Sequence, residues 1–555
     1  MNARPQTTSR HNPDWTSKAP PPTKPQSHPG RFDLFRRGCG EIGAYSPAPP
    51  NTSPAESATL SPTPAVGRRH PQSGATVGLC HAIPLKIEGM SIPALYTPYC
   101  GLLYRAGNPY MAESAPHLAI SAPTRTGKTR RILAPAAVVH PGPAVCVSSK
   151  EDLAELVLTR RFNGPSGVID LRPQKTLVWP ANVRRMVTDP TSAITSADEA
   201  LTVAETMLAT SGVGFGGAAS GQTVAAGRLW ENNASAPLAC LLHAASPLGN
   251  NQGMPWVLRA VGTRGDKQDD ENHPGEIDYP SWKTAYALCP HGDLREPLME
   301  LTGMDRRLRD SVAITMKKAI TPWIRLALMS TDLESQLNVI DQISIESFDV
   351  RMLDDPDATL FVIAPNSGTV AGAAVALIDS IIQYFRKKTA NHQLAHRLLL
   401  ELDEVCNSCP LPALLNYVGE SAGLGVNLMA TVQASSHFDV VYSPKYADAL
   451  RDIFPGTLIM YGAHERHLLE QASDWLGLAT RRSESYEPNS GSRSQASQFG
   501  PAIDWQDFLP QNREEAQLLR RGTAGERVHI PDWSDFIPIW DRVVQQRLRK
   551  QPART

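Results

Sequence analysis

Ala122, Pro123, Thr124, Arg125, Thr126, Gly127, Lys128 and Thr129 make up a run that ends in the residue types needed to hold a polyphosphate. The run follows the apolar stretch Leu118-Ala-Ile-Ser121 and precedes a segment of helical pattern, the strand–loop–helix setting of a phosphate-binding loop. In such a loop backbone N–H groups wrap the phosphates, Lys128 neutralises them and the Thr129 hydroxyl ligates Mg²⁺. The start of the helix adds its positive dipole end. Ala122 stands where the pattern G-x-x-x-x-G-K-[ST] has its first glycine. The second constellation is Leu398-Leu-Leu-Glu-Leu-Asp403-Glu404, a buried strand delivering two carboxylates to its C-terminal end. Asp403 is expected to hold Mg²⁺, directly or through water, and Glu404 to polarise an attacking water. Either motif alone recurs by chance; together, in this order, they describe a nucleotide site. Glu401, inside the strand, is expected to face an edge or a paired charge, since an unpaired buried carboxylate is costly.

Strand and helix alternate around these residues. His117–Ser121, Ala144–Ser148 and Gly167–Leu171 read as strands. Arg130–Val139 reads as the helix after the loop, ended or kinked early by Pro135. Ser149 is placed to cap a helix running to Arg160, with Asp152 three residues on. Further strands are expected at Thr359–Ala364, Leu398–Leu402, Val426–Thr431 and Gly456–Tyr461, with a long helix at Ala371–Lys388. This pattern predicts an α/β domain with a mostly parallel sheet. Between about 191 and 345 strand signals nearly vanish, which predicts an all-α domain inserted in the sheet. The expected organisation is therefore an extension at 1–82 and a nucleotide-binding domain at 83–190 and 346–482. The all-α insertion takes 191–345, a flexible Ser/Gly-rich loop 483–500, and a C-terminal segment with a basic tail 501–555. The glycine-rich run Gly212–Gly217 lacks a preceding strand and a GK pair, and reads as a flexible connection.

At 555 residues the chain exceeds one compact core. A net charge of −1 means that any nucleic-acid contact must come from local patches. Candidates are Arg31, Arg36, Arg37, Arg68 and Arg69 in the Pro/Ser/Arg-rich, disordered extension, and Arg306, Arg307, Arg309, Lys317 and Lys318 on a helix of the insertion. A solvated face explains such charges equally well. No stretch has the apolar length of a membrane span, and the polar N-terminus carries no secretory signal. The cysteines are scattered. Cys406-Asn-Ser-Cys409 has ligand-like spacing, but no second pair completes a zinc site, and core packing in a reducing cytoplasm is the expected role.

Taken together, the motifs resemble the type IV secretion coupling proteins of the TraG/TraD class, ATPases of conjugative DNA transfer. The resemblance rests on Ala122–Thr129 with its Ala-Pro-Thr-Arg lead-in, Ser148-Ser-Lys-Glu-Asp-Leu153 and Gly167-Val-Ile-Asp-Leu171. It continues through Leu402-Asp-Glu-Val-Cys-Asn407 with Pro410-Leu-Pro412, and through Gly425-Val-Asn-Leu-Met-Ala-Thr-Val-Gln433. Ala122 is normal within that family. The resemblance implies a RecA-like domain with an inserted all-α domain, ATP and Mg²⁺ as ligands, and a homo-hexameric ring with ATP at subunit interfaces. By the same resemblance Lys128 binds the β/γ-phosphates, Thr129 and Asp403 hold Mg²⁺, Glu404 activates water and Gln433 senses the γ-phosphate. The implied partners are DNA with a relaxase and the components of a type IV secretion channel. Family members usually begin with transmembrane helices and this chain shows none. The expectation is therefore a cytoplasmic protein, peripheral at the inner face of the membrane, either a soluble variant recruited by a separate membrane protein or one whose anchor is encoded apart. Related ring ATPases insert an arginine into a neighbour's site from just before the glutamine strand, whereas Gly419-Glu-Ser-Ala-Gly-Leu-Gly425 has none. Arg466 is an alternative source, with a plain surface charge as its simpler reading. An FtsK/HerA-like translocase independent of secretion and a nucleotide-gated adaptor with little turnover are the other readings.

Overall fold

The computed structural model describes residues 85–87, 90–92, 97–103, 107–172, 179–180, 182–211, 224–263, 279–326, 346–365, 370–487, 492–523 and 525–550. The extension at 1–82 with its arginines, and the glycine-rich run at 212–217, lie outside these residues.

The centre of the fold is a 13-stranded sheet. In chain order its strands are β1 (Tyr99–Leu102), β2 (Pro109–Met111), β3 (Leu118–Ser121), β4 (Ala144–Ser148), β5 (Ser166–Asp170), β6 (Val183–Val187), β7 (Glu346–Ser347), β8 (Thr359–Ile363), β9 (Leu398–Leu402), β10 (Val426–Val432) and β11 (Gly456–Met460). A separate ribbon pairs β12 (Leu478–Glu487) with β13 (Ser492–Pro501), and the large sheet ends with β14 (Glu515–Arg520) and β15 (Glu526–His529). Across the sheet the order is β2-β1-β15-β14-β11-β3-β10-β9-β4-β8-β5-β6-β7. From β11 to β7 every pairing is parallel, while β14, β15, β1 and β2 add an antiparallel edge. The stretch β11-β3-β10-β9-β4 has the RecA-like order, with the strand feeding the phosphate loop next to the Gln433 strand and one place from the acidic strand.

Parallel strands covered on both faces read as near-continuous apolar runs. β9, Leu-Leu-Leu-Glu-Leu, is buried at every position. Its alternate residues divide between two cores: Leu398, Leu400 and Leu402 join one with the helix Ala371–Ala390, and Leu399 joins the other with Ile120, Cys146 and Met429. The insertion leaves the sheet at β6 and returns at β7, and these two strands pair in parallel, Met186 opposite Glu346. Between them the described residues form helices at Ala197–Ser211, Val224–Ala245, Gly253–Ala260, Trp282–Leu288, Gly292–Gly303, Arg306–Ala319 and 321–326, with one 3₁₀ turn. Their buried residues, among them Trp256 and Trp282, are continuous with the first core.

Four local expectations are corrected. Pro135 does not end its helix, which continues to Val139 behind a wider π turn over Thr129–Leu133. In that turn the Ala134 N–H reaches back to Thr129 O, so a residue with no N–H to donate is accommodated without a break. Ser149 is not a cap, because the helix starts at Asp152 after Glu151. The turn before it is organised by Ser148 Oγ, which accepts the Lys150 N–H. The stretch expected to be a flexible loop contains most of a ten-residue antiparallel pairing, from Leu478 opposite Pro501 to Glu487 opposite Ser492. Backbone hydrogen bonding, which needs no apolar side chains, builds that ribbon. The expected basic tail is likewise largely the helix Trp533–Lys550, which buries Trp533, Phe536 and Ile539 in the second core.

Candidate nucleotide site

The loop leaves β3 still tied to the sheet, for the Ala122 N–H donates to Val432 O at 3.0 Å. Ala122 is fully buried and is not among the residues of positive φ, so its position needs no glycine. The left-handed positions in the loop are Arg125 (φ 63°) and Gly127 (φ 88°). Alternation of this kind turns successive N–H groups into an anion-binding concavity. Thr126 Oγ1 closes the loop on Pro123 O at 2.7 Å, and the Arg131 N–H donates to Gly127 O at 2.8 Å to start the helix. Thr124 and Arg125 are exposed, and Thr129 is half-buried.

Three adjacent strands place the acids. The Asp403 N–H donates to Val147 O (2.9 Å); its Oδ1 accepts from Thr431 Oγ1 on β10 (3.0 Å) and its Oδ2 from Ser148 Oγ on β4 (3.2 Å). Glu404 follows in the left-handed region, φ 52° and ψ 58°. For a residue with a side chain this costs about 1–2 kcal/mol. The conformation is held by the Glu404 N–H donating to Thr431 Oγ1 at 2.8 Å. Lys128 Nζ lies 2.9 Å from Glu404 Oε1 and 3.7 Å from Asp403 Oδ1. Gln433 Nε2 donates to the same Glu404 Oε1 at 3.1 Å, and Asn407 Nδ2 to Oε2 at 3.3 Å. Lys128, the adjacent pair Asp403 and Glu404, and Gln433 therefore converge from three segments of the chain.

The two neighbouring carboxyls are driven in opposite directions. Burial pushes Asp403 above the ordinary carboxylate range, against the opposing charge of Lys128. Glu404 is held below its ordinary value: burial acts to raise it, but the ion pair with Lys128 and the donors on Gln433 and Asn407 outweigh that effect. Glu404 is thus a charged acceptor near neutral pH. Lys128 is shared between the two acids.

The family described as Type IV secretory system Conjugative DNA transfer matches residues 79–499. The chain belongs to that family. Among solved structures it is similar to the bacterial conjugative coupling protein TrwBdeltaN70 in an unbound form, at 17% identity over 78% of this chain and 88% of that one, with a TM-score of 0.47. TrwB in complex with the non-hydrolysable ATP analogue ADPNP is 17% identical over 78% and 89% of the two chains, with a TM-score of 0.45. VirB4 of Thermoanaerobacter pseudethanolicus is 12% identical over 79% and 96%, with a TM-score of 0.39. No curated protein is significantly similar to the chain.

In this conjugative-transfer chain the groups around Asp403 suit a hard cation. The donors at hand are oxygens, those of Asp403 and the Thr129 hydroxyl, and Mg²⁺ bound with a nucleotide takes one or two protein oxygens, phosphate and water. Among the described residues no group of three or more His, Cys, Asp and Glu forms a cage of its own, and such a site needs none. Cys406 and Cys409 are both buried; burial pushes the Cys406 thiol up to about 12.

Glu401 departs from expectation, being fully buried with neither an edge nor an ion pair. It accepts a hydrogen bond from Cys146 Sγ at 3.3 Å, and burial pushes its carboxyl well above the ordinary carboxylate range. Arg466 is exposed, bonded to Glu470 at 2.7 Å and stacked 5.3 Å over the Trp505 ring. Arg306, Arg307, Lys317 and Lys318 are exposed on their helix and Arg309 is half-buried. Sequence reasoning missed Thr431 and Ser148, which orient Asp403. It also missed Glu465, a buried carboxylate that accepts from Ser121 Oγ and from Ser435. Thr431 and Glu465 carried no local signal, their partners lying 28 and 344 positions away.

Proposed function

We propose that the chain is an ATPase of conjugative DNA transfer, using ATP hydrolysis to recruit or move a DNA–relaxase substrate through a type IV secretion channel. The observation that carries this reading is the gathering of Lys128, Asp403, Glu404 and Gln433 at the phosphate loop. Mg²⁺ bound with ATP would supply charge neutralisation between the phosphates. The chain's own groups do the rest. Backbone N–H groups of Thr124–Thr129 and Lys128 hold the phosphates, and Thr129 and Asp403 take the metal. Glu404, kept ionised, orients and polarises water, while Gln433, which shares Glu404 with Lys128, reports the γ-phosphate. In phosphoryl transfer such parts act by position and charge.

In this reading residues 83–190 and 346–482 are the nucleotide domain and 191–345 the all-α insertion, whose helix Arg306–Ala319 offers its exposed cations to DNA phosphates. The working form is a homo-hexamer at the inner face of the membrane. Among the described residues no helix is long and apolar enough to cross a membrane. A nucleotide-gated adaptor is the second reading, favoured by the lack of an arginine in Gly419–Gly425 and by the tethering of Arg466 to Glu470 and Trp505. Phosphate release measured with and without single- and double-stranded DNA separates the two. The motor is supported by DNA-stimulated turnover. It is overturned by ATP binding without turnover at concentrations where assemblies form.

A further inference from the structure

Beyond the groups that face the phosphates, one buried carboxylate joins the nucleotide site to an outer helix. Glu465 is 6% exposed. Its Oε1 accepts from Ser121 Oγ at 2.5 Å and from the Ser435 N–H at 2.7 Å, and its Oε2 from Ser435 Oγ at 2.5 Å. Ser121 is the last residue of β3 before the phosphate loop, and Ser435 lies two residues after Gln433. The carboxylate therefore clamps the entrance of the loop to the exit of the strand that presents Gln433. Three hydrogen bonds converge on this one side chain, so a shift of either segment by a fraction of an ångström is resisted or passed on. From the other side, Arg451 donates to Ser435 O at 2.9 Å and pairs with Asp448 at 2.8 Å.

The backbone of Glu465 opens the helix Arg466–Trp475, with the Leu469 N–H donating to Glu465 O at 3.1 Å. That helix buries Leu469 and Ala472 in a small separate core with Ile459, Phe508 and Leu519, and carries the exposed Arg466. A single residue thus holds the sensor segment by its side chain and starts the helix by its main chain.

We propose that Glu465 is a positioning residue that transmits the nucleotide state, read at Gln433, to the helix Arg466–Trp475. The proposal rests on the ATPase reading of the site. When a γ-phosphate draws Gln433 away from Glu404, the displaced Ala434–Ser435 segment pulls on Glu465, and the helix follows.

The test is hydrogen–deuterium exchange of the full chain with Mg²⁺ and a non-hydrolysable ATP analogue, read at the amides of residues 466–475 and paired with nucleotide affinity and single-turnover hydrolysis. In the wild type, nucleotide changes protection of this helix. Glu465→Ala binds nucleotide within about threefold of the wild-type affinity. It loses the helix response, and its hydrolysis falls by about 10²-fold, the scale of a misplaced catalytic group. Glu465→Gln, which keeps the shape and one carbonyl acceptor, recovers part of both. Ser435→Ala, a milder change on the opposite side of the clamp, weakens the helix response with binding intact. A Glu465→Ala protein that keeps the nucleotide-dependent protection overturns the proposal. So does one whose affinity, stability and turnover fall together with no recovery in Glu465→Gln, since that marks a merely structural role. Nucleotide binding to the wild type with no change in residues 466–475 overturns the coupling alone; absence of binding overturns the ATPase reading beneath it.

Discussion

The two ends of the parallel strands are both built from buried polar groups, yet they are bonded in different ways. At the N-terminal ends side chains mostly bond to backbone. His140 Nε2 meets Arg397 O at 2.9 Å, the Leu428 N–H donates to His117 Nδ1 at 3.1 Å, and Arg397 donates to Val426 O at 3.3 Å and to Asn427 Oδ1 at 2.8 Å. Arg161 spreads its guanidinium over the carbonyls of Ala137, His140, Gly142, Pro356 and Ala358. At the C-terminal ends side chains bond to one another: Lys128 to Glu404, Gln433 to Glu404, Thr431 and Ser148 to Asp403. Backbone partners cannot leave, so the first end acts as a set of staples. Side-chain partners can be exchanged, so the second end can rearrange.

This contrast can be broken, and the largest effect belongs to the staples. Arg397→Ala removes a buried cation and strips Asn427 of a donor, and is expected to destabilise the fold by about 3 kcal/mol. Urea denaturation measures that loss, and nucleotide affinity stays unchanged; a loss of affinity beyond the loss of folded protein would show that the two ends are not separate. Lys128→Ala is the counterpart. Titration with a fluorescent nucleotide should show affinity about 10²-fold weaker, with a smaller loss of stability than Arg397→Ala gives.

The imidazoles sharpen the same comparison through pH. Burial pushes His117 from 6.5 down to about 4 and His140 from 6.5 down to about 3. Between the folded and unfolded values the unfolded chain binds protons that the folded chain refuses, so stability is full above about pH 6.5 and falls as pH drops. Each group contributes at most about 1.4 kcal/mol per pH unit in that window. His140→Gln should flatten the slope of unfolding free energy between pH 6 and pH 4 by about that amount; an unchanged slope would mean that His140 is not held neutral. The smallest effect is expected at Arg466, whose pair with Glu470 is exposed. Arg466→Ala should alter the unfolding free energy by no more than about 0.5 kcal/mol; a larger loss would give the helix a structural dependence on that side chain.

How much of this was readable in advance followed the physics of each region. β9 was legible because a strand buried on both faces is a near-continuous apolar run, so Leu398–Leu402 stood out at both boundaries despite Glu401. The phosphate loop was legible because its residue types and spacing are fixed by what they bind. The antiparallel edge was hidden: β14 is Glu-Ala-Gln-Leu-Leu-Arg and β15 is Glu-Arg-Val-His, mixtures that an edge tolerates and a helix or loop tolerates equally. Pro538 masked the C-terminal helix. Glu465 was invisible because its meaning lies in Ser121, 344 positions away, and in Ser435, 30 positions away. The pairing of Ser148 and Thr431 with Asp403 likewise appears only once three strands lie side by side.

The central claim is that the exchangeable end hydrolyses ATP, and Glu404→Gln tests it most directly. In a single-turnover assay at matched nucleotide occupancy, the account predicts that the variant binds ATP and Mg²⁺ as the wild type does, while hydrolysis falls by about 10²–10³-fold. Hydrolysis by Glu404→Gln at the wild-type rate would contradict it.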